Sequence, residues 1–248
     1  MTTQKMLSFL RKGITKYNLI KDGDKIAVGV SGGKDSVTLL KLLAEYRRFS
    51  PEKFSLIAIT IDLNFVDNPA DFTPIENLCK ELDVPYFCSK TDIGEIVFNV
   101  RKESNPCALC SKMRKGALNT IAKEQGCNKV ALGHHCDDLI DTLLLSLFYE
   151  GRLSTFAPKS YLDKMDLTLI RPLIYLKECD INSYAKSLPV VKSNCPANKT
   201  TKRELIKDII KTIGENIPNV REMVFTALIH PERYNLFDKF DKDAEILD

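Results

Sequence analysis

The sequence predicts an α/β fold in which a doubly wound parallel sheet carries helices on both faces and is followed by C-terminal helices. Strand-like apolar runs alternate with segments of helical periodicity along most of the chain, which is typical of a parallel sheet. A glycine-rich turn at 31–36 separates the first strand from the first helix, where such sheets bind ligands. The 248 residues are 44% hydrophobic and 28% charged, which excludes disordered and collagenous chains.

The elements of the first part of the chain follow from apolar runs and helical spacing. Ile26–Val30 is a short buried-type strand after the turn sequence Lys-Asp-Gly-Asp, and Ser36–Arg48 has helical periodicity and a basic end. The same alternation continues as far as Tyr149. We predict strands at Phe54–Ile61, Pro85–Cys88 and Lys129–Leu132, and helices at Pro74–Leu82, Ala108–Gln125 and Asp137–Tyr149.

The second part of the chain predicts one more strand and three helices. The strand ends at Leu169–Arg171, and the helices lie at Lys177–Ser187 and near 202–213 and 219–229. No repeat or Gly/Ser-rich linker divides the sequence. We therefore predict a single domain over 1–248, with an N-terminal helical extension at 1–22 and a C-terminal helical part at 190–248.

Charge and hydropathy predict a cytoplasmic protein that does not contact membranes. The amino terminus is amphipathic and lacks the apolar core and cleavage site of a signal peptide. The apolar stretch Leu139–Tyr149 is shorter than the roughly 20 residues that cross a bilayer. The net charge of +3 favours nucleic acid only weakly. Basic runs around 101–115 and after Lys199 would suit a phosphate backbone, although charge runs by themselves favour a solvated helix face.

The strongest local signal is the segment Ser31–Gly32–Gly33–Lys34–Asp35–Ser36, between the first strand and the first helix. Such a turn exposes backbone N–H groups at a helix start, which suits a phosphate or pyrophosphate. The adjacent glycines match neither the GxxxxGK[ST] loop of common nucleotide triphosphatases nor the GxGxxG turn of dinucleotide-binding proteins.

A second signal, Gly133–His134–His135–Cys136–Asp137–Asp138, lies between a strand and a helix. Acids at a helix start suit the helix dipole whatever their function, but beside a triphosphate they would require Mg²⁺. Helical spacing clusters Asp141 with Asp137 and Asp138 at the first turn. It also predicts a core-facing stripe of Leu139, Ile140, Leu143, Leu144, Leu147 and Phe148.

A third signal comes from the eight cysteines, of which Cys107 and Cys110 form a CxxC pair. Such a pair alone suits zinc, an iron–sulfur cluster or a redox dithiol. No second CxxC exists for a four-cysteine zinc site, but Cys195 lies downstream before a basic helix. The remaining cysteines are expected to be small packing residues, Cys136 included: Cys79, Cys88, Cys127, Cys136 and Cys179.

The first two motifs closely resemble those of the ATP pyrophosphatases, which cleave ATP between the α and β phosphates and adenylate their substrates. The resemblance implies a PP-loop fold in which Ser31–Ser36 bind the pyrophosphate part of ATP with Mg²⁺. Gly133 would lie near the nucleotide, with Asp137 as the catalytic or metal-coordinating acid. Asp138 would bind nucleotide or serve as the helix start, and His134 and His135 are either loop residues or parts of the site.

With CxxC between those motifs and Cys195 downstream, the chain resembles the tRNA 2-thiocytidine synthetases, or tRNA-cytidine 2-sulfurtransferases, from Gly29 to Asp238. The resemblance implies that Cys107, Cys110 and Cys195 hold a 4Fe-4S cluster. The family pattern places a further cysteine where Asn198 stands. Three cysteine ligands still suffice for a cluster with one free iron.

The resemblance also implies the reaction and the partners. ATP would adenylate the C2 oxygen of a tRNA base, cytidine 32 of the anticodon loop, and sulfur would then replace that oxygen with release of AMP and pyrophosphate. Lys34, Asp137 and Arg114 are the expected catalytic residues. The partners are tRNA, a sulfur donor that is either a cysteine desulfurase or inorganic sulfide, and a second copy in a homodimer.

Three alternatives stay open at the level of sequence. An adenylating ligase or amidotransferase fits the first two motifs but leaves the cysteines without a role. A tRNA 2-thiouridine synthetase of the same superfamily would carry extra zinc-binding cysteines, whereas none occurs before Cys79 or after Cys195. A non-enzymatic metal-binding redox sensor explains the cysteines but not the nucleotide motifs.

Overall fold

A computed structural model describes residues 1–65, 69–101, 106–192, 195 and 202–236. The chain divides into two compact units. Unit 1 comprises Met1–Asp138 and Phe156–Thr201, and unit 2 comprises Leu139–Thr155 and Lys202–Asp248. Asn198 lies outside the described residues.

Unit 1 is built on a sheet that has six strands within its described part, in the order β3-β2-β1-β4-β6-β5. All neighbouring pairs are parallel except β5 with β6, which are antiparallel. The strands are β1 Lys25–Gly29, β2 Ser55–Asp62, β3 Tyr86–Lys90, β4 Lys129–Ala131, β5 Lys159–Leu162 and β6 Leu167–Ile170.

The helices of the described residues confirm each predicted helical segment. Three further short elements were not predicted: α4 at Ile93–Glu95, a π-helical turn at Ile96–Val100 and a 3₁₀ turn at Pro231–Arg233. The helices of unit 1 are α1 Thr3–Tyr17, α2 Lys34–Arg47, α3 Thr73–Glu81, α4 Ile93–Glu95, α5 Pro106–Glu124 and α7 Glu178–Ala185. The helix α6 Cys136–Glu150 begins in unit 1, and α8 Lys202–Asn216, α9 Val220–Ile229 and a 3₁₀ turn at Pro231–Arg233 belong to unit 2.

Apolar side chains are buried on both faces of the sheet, as a doubly wound fold requires. Successive residues of β1 alternate between the faces: Ile26 and Val28 pack in one core, and Ala27 packs in the other. The first core contains side chains of α1, α2, α3 and α7, and the second contains Leu118 and Ala122 of α5. This explains why the central strands read as continuous apolar runs.

The antiparallel edge strand β5 is an addition to the predicted parallel sheet. Its sequence Lys-Ser-Tyr-Leu is short and half polar, so it gives no strand signal. It reaches β6 through a tight turn in which Asp166 adopts a φ of 48°. Aspartate tolerates the left-handed region better than most residues, and this turn lets the chain double back.

Two expectations about burial are wrong in part. On α6, Leu139 and Ile140 are buried, but Leu147 and Phe148 are 40% and 54% exposed, because the apolar stripe does not stay covered to the end of the helix. Of the five cysteines expected in the core, Cys88 and Cys179 are exposed. The other three are buried: Cys79, Cys127 and Cys136. Among the described residues, no helix is long and apolar enough to cross a membrane.

Candidate active site

The loop between β1 and α2 is shaped to receive an anion. Gly32 has a φ of 83°, and a Cβ there would lie 2.9 Å from Cβ of Val191, so this position requires glycine. The loop is closed by Ser36, whose Oγ donates to the carbonyl of Gly33 (2.9 Å) and accepts from the N–H of Ser31 (3.1 Å). Gly33 caps α2 without a side chain, so the first N–H groups of the helix remain open to a phosphate.

Lys34 is held between two carboxylates. Its Nζ lies 3.0 Å from Oδ1 of Asp35 and 3.0 Å from Oε1 of Glu178, the first residue of α7. Burial by itself lowers the pKa of Lys34, but the hydrogen bonds and charges of the two acids outweigh it, and the net shift is upward. Lys34 is therefore held as a cation between two carboxylates beside the glycine-rich loop.

The Gly133–Asp138 loop packs closely against the Ser31–Ser36 loop at Gly133. A Cβ on this glycine would lie 3.0 Å from the backbone C and O of Asp35. Behind it, the buried ring of His135 faces three carboxylates. Its Nε2 lies 3.4 Å from Oδ2 of Asp138 and 3.7 Å from Oδ1 of Asp35, and its Nδ1 lies 3.8 Å from Oδ2 of Asp137. His135 thus joins the acids of both motifs.

Asp137 and Asp138 have different surroundings. Oδ2 of Asp138 accepts the N–H of His135 at 3.1 Å, which is the backward half of a capping box at the start of α6. Asp137 is buried, and its Oδ2 accepts the N–H of Glu178 at 2.7 Å. Glu178 therefore contacts Lys34 with its side chain and Asp137 with its backbone, and so couples the two motifs.

A cavity of about 390 Å³ opens between these loops and α5. It is lined by Ser31, Gly33, Asp35, Ser36, Gly133, His134, Asp138, Arg114 and Lys115, with apolar walls from β1, β2 and α5. Lys34 and Asp137 are not part of this lining; they lie on the side of the loops that faces Glu178. The cavity combines open N–H groups, cations and carboxylates, which suits a nucleotide and its metal.

His134 is supported from behind by a stack that sequence reasoning missed. The ring centroid of His134 lies 4.9 Å from that of Phe156. The guanidinium carbon of Arg171 also lies 4.9 Å from the ring centroid of Phe156. Arg171 is buried, which lowers its pKa, and it donates to the carbonyl of Ala157 at 2.6 Å. Arg171 and Glu178 carried only weak sequence signals, an arginine after a strand and an acid at a helix start.

The first turns of α5 carry two cysteines, of which Cys110 lies next to Arg114. Cys107 is exposed and Cys110 is buried. Burial raises the pKa of Cys110; Arg114 lowers it, and the nearby thiols Cys195 and Cys107 raise it. Cys110 is therefore close enough to both other predicted ligands for their charges to raise its pKa. Within the described ranges, no three His, Cys, Asp or Glu side chains already meet as a closed metal site.

The chain is similar to known proteins over most of its length. Residues 2–211 match the family described as the PP-loop domain. A tRNA-cytidine(32) 2-sulfurtransferase of Citrifermentans bemidjiense is 39% identical over 233 residues, 92% of this chain and 91% of the relative. An enzyme of the same name from Syntrophotalea carbinolica is 38% identical over 245 residues, 97% of this chain and 94% of the relative.

The fold is also that of a solved structure, the U34-tRNA thiolase NcsA from Methanococcus maripaludis with its [4Fe-4S] cluster. The match has a TM-score of 0.74 at 24% identity and covers 94% of this chain and 79% of that chain. From the match over 2–211 and the identity to its relatives, this chain belongs to the PP-loop domain family, in the branch that contains the tRNA-cytidine(32) 2-sulfurtransferases.

Proposed function

We propose that this protein is an ATP-dependent tRNA sulfurtransferase that replaces the C2 oxygen of cytidine 32 with sulfur. One observation carries the proposal: a single cavity is lined by the glycine-rich loop, the Gly133–Asp138 loop and Arg114, which lies beside Cys110 of α5. Nucleotide chemistry and thiol chemistry therefore share one site. The names of the relatives support the choice of base.

The reaction needs activation because a ring carbonyl oxygen is a poor leaving group. The C2 oxygen attacks the α phosphorus of ATP and pyrophosphate leaves, which gives an O-adenylated base. A sulfur nucleophile then attacks C2, and AMP leaves with the former carbonyl oxygen. The protein contributes to both steps mainly by orienting the reactants and stabilising charge.

The residues on the page divide this work between them. The N–H groups at the start of α2 bind the phosphates, and Lys34 exchanges a carboxylate for a phosphate oxygen. Asp137 and Asp138 provide carboxylate oxygens of the kind that Mg²⁺ prefers. Arg114, between the cavity and Cys110, neutralises the charge that develops beside the thiols.

The donor set of Cys107, Cys110 and Cys195 fits an iron–sulfur cluster, since thiolates are the usual ligands and both other cysteines act on the thiol of Cys110. A [4Fe-4S] cluster with three protein ligands has one iron free to bind the incoming sulfur. We place the enzyme in the cytoplasm as a homodimer, with a cysteine desulfurase or inorganic sulfide as the sulfur source.

Mass spectrometry of tRNA nucleosides tests the function directly. Cells that lack the protein should lack 2-thiocytidine. The wild-type chain should restore it, and an Asp137→Asn variant should not. Unchanged 2-thiocytidine in the deleted strain would contradict the proposal.

Iron analysis of anaerobically purified protein tests the ligands separately. We expect about four irons per chain, in keeping with a cubane cluster, and loss of most of that iron in Cys195→Ser. The matched control is Cys179→Ser, another cysteine of unit 1, which is exposed and not a proposed ligand. Equal loss of iron in both variants would reject the assignment of Cys195.

A further inference from the structure

The first helix carries a one-sided charge that the proposed chemistry does not use. Residues 1–21 contain no acid, and α1 carries four exposed basic residues: Lys5, Arg11, Lys12 and Lys16. The opposite face of α1 is buried through Met6, Leu10 and Ile14. The helix is therefore fixed to unit 1 by its apolar face and presents a cationic face to solvent.

Two of these lysines gather over an aromatic pair. Nζ of Lys12 lies 4.5 Å from the ring centroid of Tyr175, and Nζ of Lys16 lies 5.9 Å from it. The rings of Tyr17 and Tyr175 stack at 6.2 Å, and their hydroxyls lie 3.2 Å apart. Among the described residues, no carboxylate lies within 4.0 Å of Lys12 or Lys16, so their charge is not neutralised by an ion pair.

A close approach of α1 to the next segment creates this arrangement. A Cβ on Gly13 would lie 3.1 Å from the carbonyl oxygen of Pro172 and 3.6 Å from the ring of Tyr175. Glycine lets the helix approach this closely, which places the flanking Lys12 and Lys16 over the tyrosine. The contact between their hydroxyls holds the two tyrosines together, and burial and this hydrogen bond raise the pKa of Tyr17 to about 12.

The positive potential extends past the end of α1. Nζ of Lys159 donates to the carbonyl of Asn18, the residue that caps the helix, at 3.0 Å. Burial lowers the pKa of Lys159, and the positive charges of Lys129 and Lys21 lower it further. We call Lys12, Lys16, Lys21 and Lys159, together with Tyr17 and Tyr175, the α1 basic patch.

The α1 basic patch adjoins the loop that holds the catalytic acid. The N–H of Cys136 donates to the carbonyl of Leu176 at 3.0 Å, and the N–H of Glu178 donates to Asp137. Tyr175 is three residues before Glu178, so their Cα atoms are at most about 11 Å apart. The patch therefore lies near Glu178 and Asp137, and a nucleic acid strand bound to it passes beside the Gly133–Asp138 loop.

We propose that the α1 basic patch binds the sugar–phosphate backbone of the substrate tRNA next to the base that is modified, an inference that rests on the proposed function. Lysines without an ion-pair partner attract phosphates, and the half-buried ring of Tyr17 offers a contact to a sugar or base, while Tyr175 is buried beneath the lysines. An anionic membrane is the weaker match, because a helix that binds a bilayer needs a free apolar face, and that face of α1 is buried.

The test compares two double variants of the full chain. Lys12→Gln/Lys16→Gln removes two charges from the patch. Lys80→Gln/Lys164→Gln removes two exposed charges of unit 1 that lie outside it. Binding of unmodified tRNA is measured by fluorescence anisotropy at several salt concentrations, with melting temperatures as a check on folding. Both variants should melt within about 2 °C of wild type, since exposed substitutions rarely change stability by much.

We expect the patch variant to bind tRNA about tenfold more weakly than wild type. The slope of its log affinity against log salt concentration should fall by about one to two, the contribution of one or two phosphate contacts. The control variant should stay near wild type in both quantities. Equal affinities of the two variants would overturn the docking inference and leave the proposed function intact. Wild-type protein that binds no tRNA would instead fail the proposed function. Anionic vesicles serve as a further arm: loss of vesicle binding with unchanged tRNA affinity would also overturn the inference.

Discussion

At the scale of single residues, Glu178 holds the ammonium of Lys34 in an ion pair at the glycine-rich loop. Its carboxylate lies 3.0 Å from Nζ of Lys34, in competition with any phosphate oxygen. Replacing Glu178 with Gln keeps the backbone N–H that binds Asp137 but removes the competing charge. We expect ATP to bind up to about fivefold more tightly, which is the worth of one partly exposed ion pair. Titration calorimetry with ATP and Mg²⁺ measures this.

The matched control for Glu178 is Asp180→Asn, a carboxylate in the same first turn of α7 that forms no described contact with Lys34. It should leave the affinity near that of wild type. Weaker binding of ATP to the Gln variant would mean that Glu178 holds Lys34 in its binding position and does not compete with the nucleotide.

Gly32 and Gly126 distinguish two reasons why a position requires glycine: a positive φ, and a lack of space for a Cβ. Both have positive φ, 83° and 69°, but only Gly32 has no room for a Cβ. Gly126→Ala should cost about 1 to 2 kcal/mol of unfolding free energy, the strain of the left-handed region. Gly32→Ala adds a contact of 2.9 Å with Val191 and should cost more, with ATP binding lost as the loop shifts. Urea unfolding and ATP titration test the pair. Equal costs with intact ATP binding would contradict this account.

At the scale of elements, a buried ion pair links the residue before β1 to the first residue of β4. Nζ of Lys129 lies 2.5 Å from Oδ2 of Asp24, and both side chains are at least nine-tenths buried. The same ammonium donates to the carbonyl of Leu19 at 2.8 Å, and Asn128 donates to Asp24 at 2.8 Å. This network fixes the start of β4 beside β1, and its members are satisfied only together.

Lys129→Met should therefore destabilise the protein by about 3 to 5 kcal/mol, because it leaves a buried carboxylate without its cation. The double variant Asp24→Asn/Lys129→Met removes both charges and should be more stable than the single variant. Urea unfolding of wild type, both single variants and the double variant measures the coupling. A double variant with the full sum of the single losses would show that the two residues act independently.

The elements that sequence predicted well are those whose signal is local. Strands buried on both faces, such as β1, read as apolar runs, and α2 and α5 show helical spacing. The failures are tertiary in origin. Nothing in the sequence of β5 distinguishes it from a loop, because its pairing with β6 forms it. The end of α6 continues the predicted apolar stripe, but Phe148 is exposed. Whether such a side chain is buried depends on residues that are distant in the sequence and pack against the helix.

In the candidate site, too, the residues with a local sequence signal were predicted, and those placed by tertiary contacts were not. Both loops carry sequence motifs because their backbone requires glycine, at Gly32 and Gly133, beside fixed polar residues. Glu178 and Arg171 come from segments more than 30 residues further along the chain and act on the site only through the fold. A glutamate at a helix start is too common in proteins to be singled out from one sequence.

At the scale of the whole molecule, stability is divided between the two units. In unit 1 the described part of α2 has nine buried residues, whereas α9 in unit 2 has none. Helices with little buried surface open locally at low cost, and their amides exchange with solvent quickly. We therefore expect slow exchange in α2 and fast exchange in α9 when hydrogen–deuterium exchange is followed by mass spectrometry.

A bound nucleotide should increase the difference in exchange rate between α2 and α9, because the cavity is lined by residues of unit 1 alone. At a hundredfold excess over its dissociation constant, ATP with Mg²⁺ stabilises the unit that binds it by about 2.7 kcal/mol. Exchange that requires opening of unit 1 should then slow by about a hundredfold in α2 and β1, while α9 keeps its rate. Gly32→Ala, which should not bind ATP, should show no slowing. Equal slowing in α2 and α9 would show that the two units unfold as one and that binding energy from the cavity reaches the whole chain.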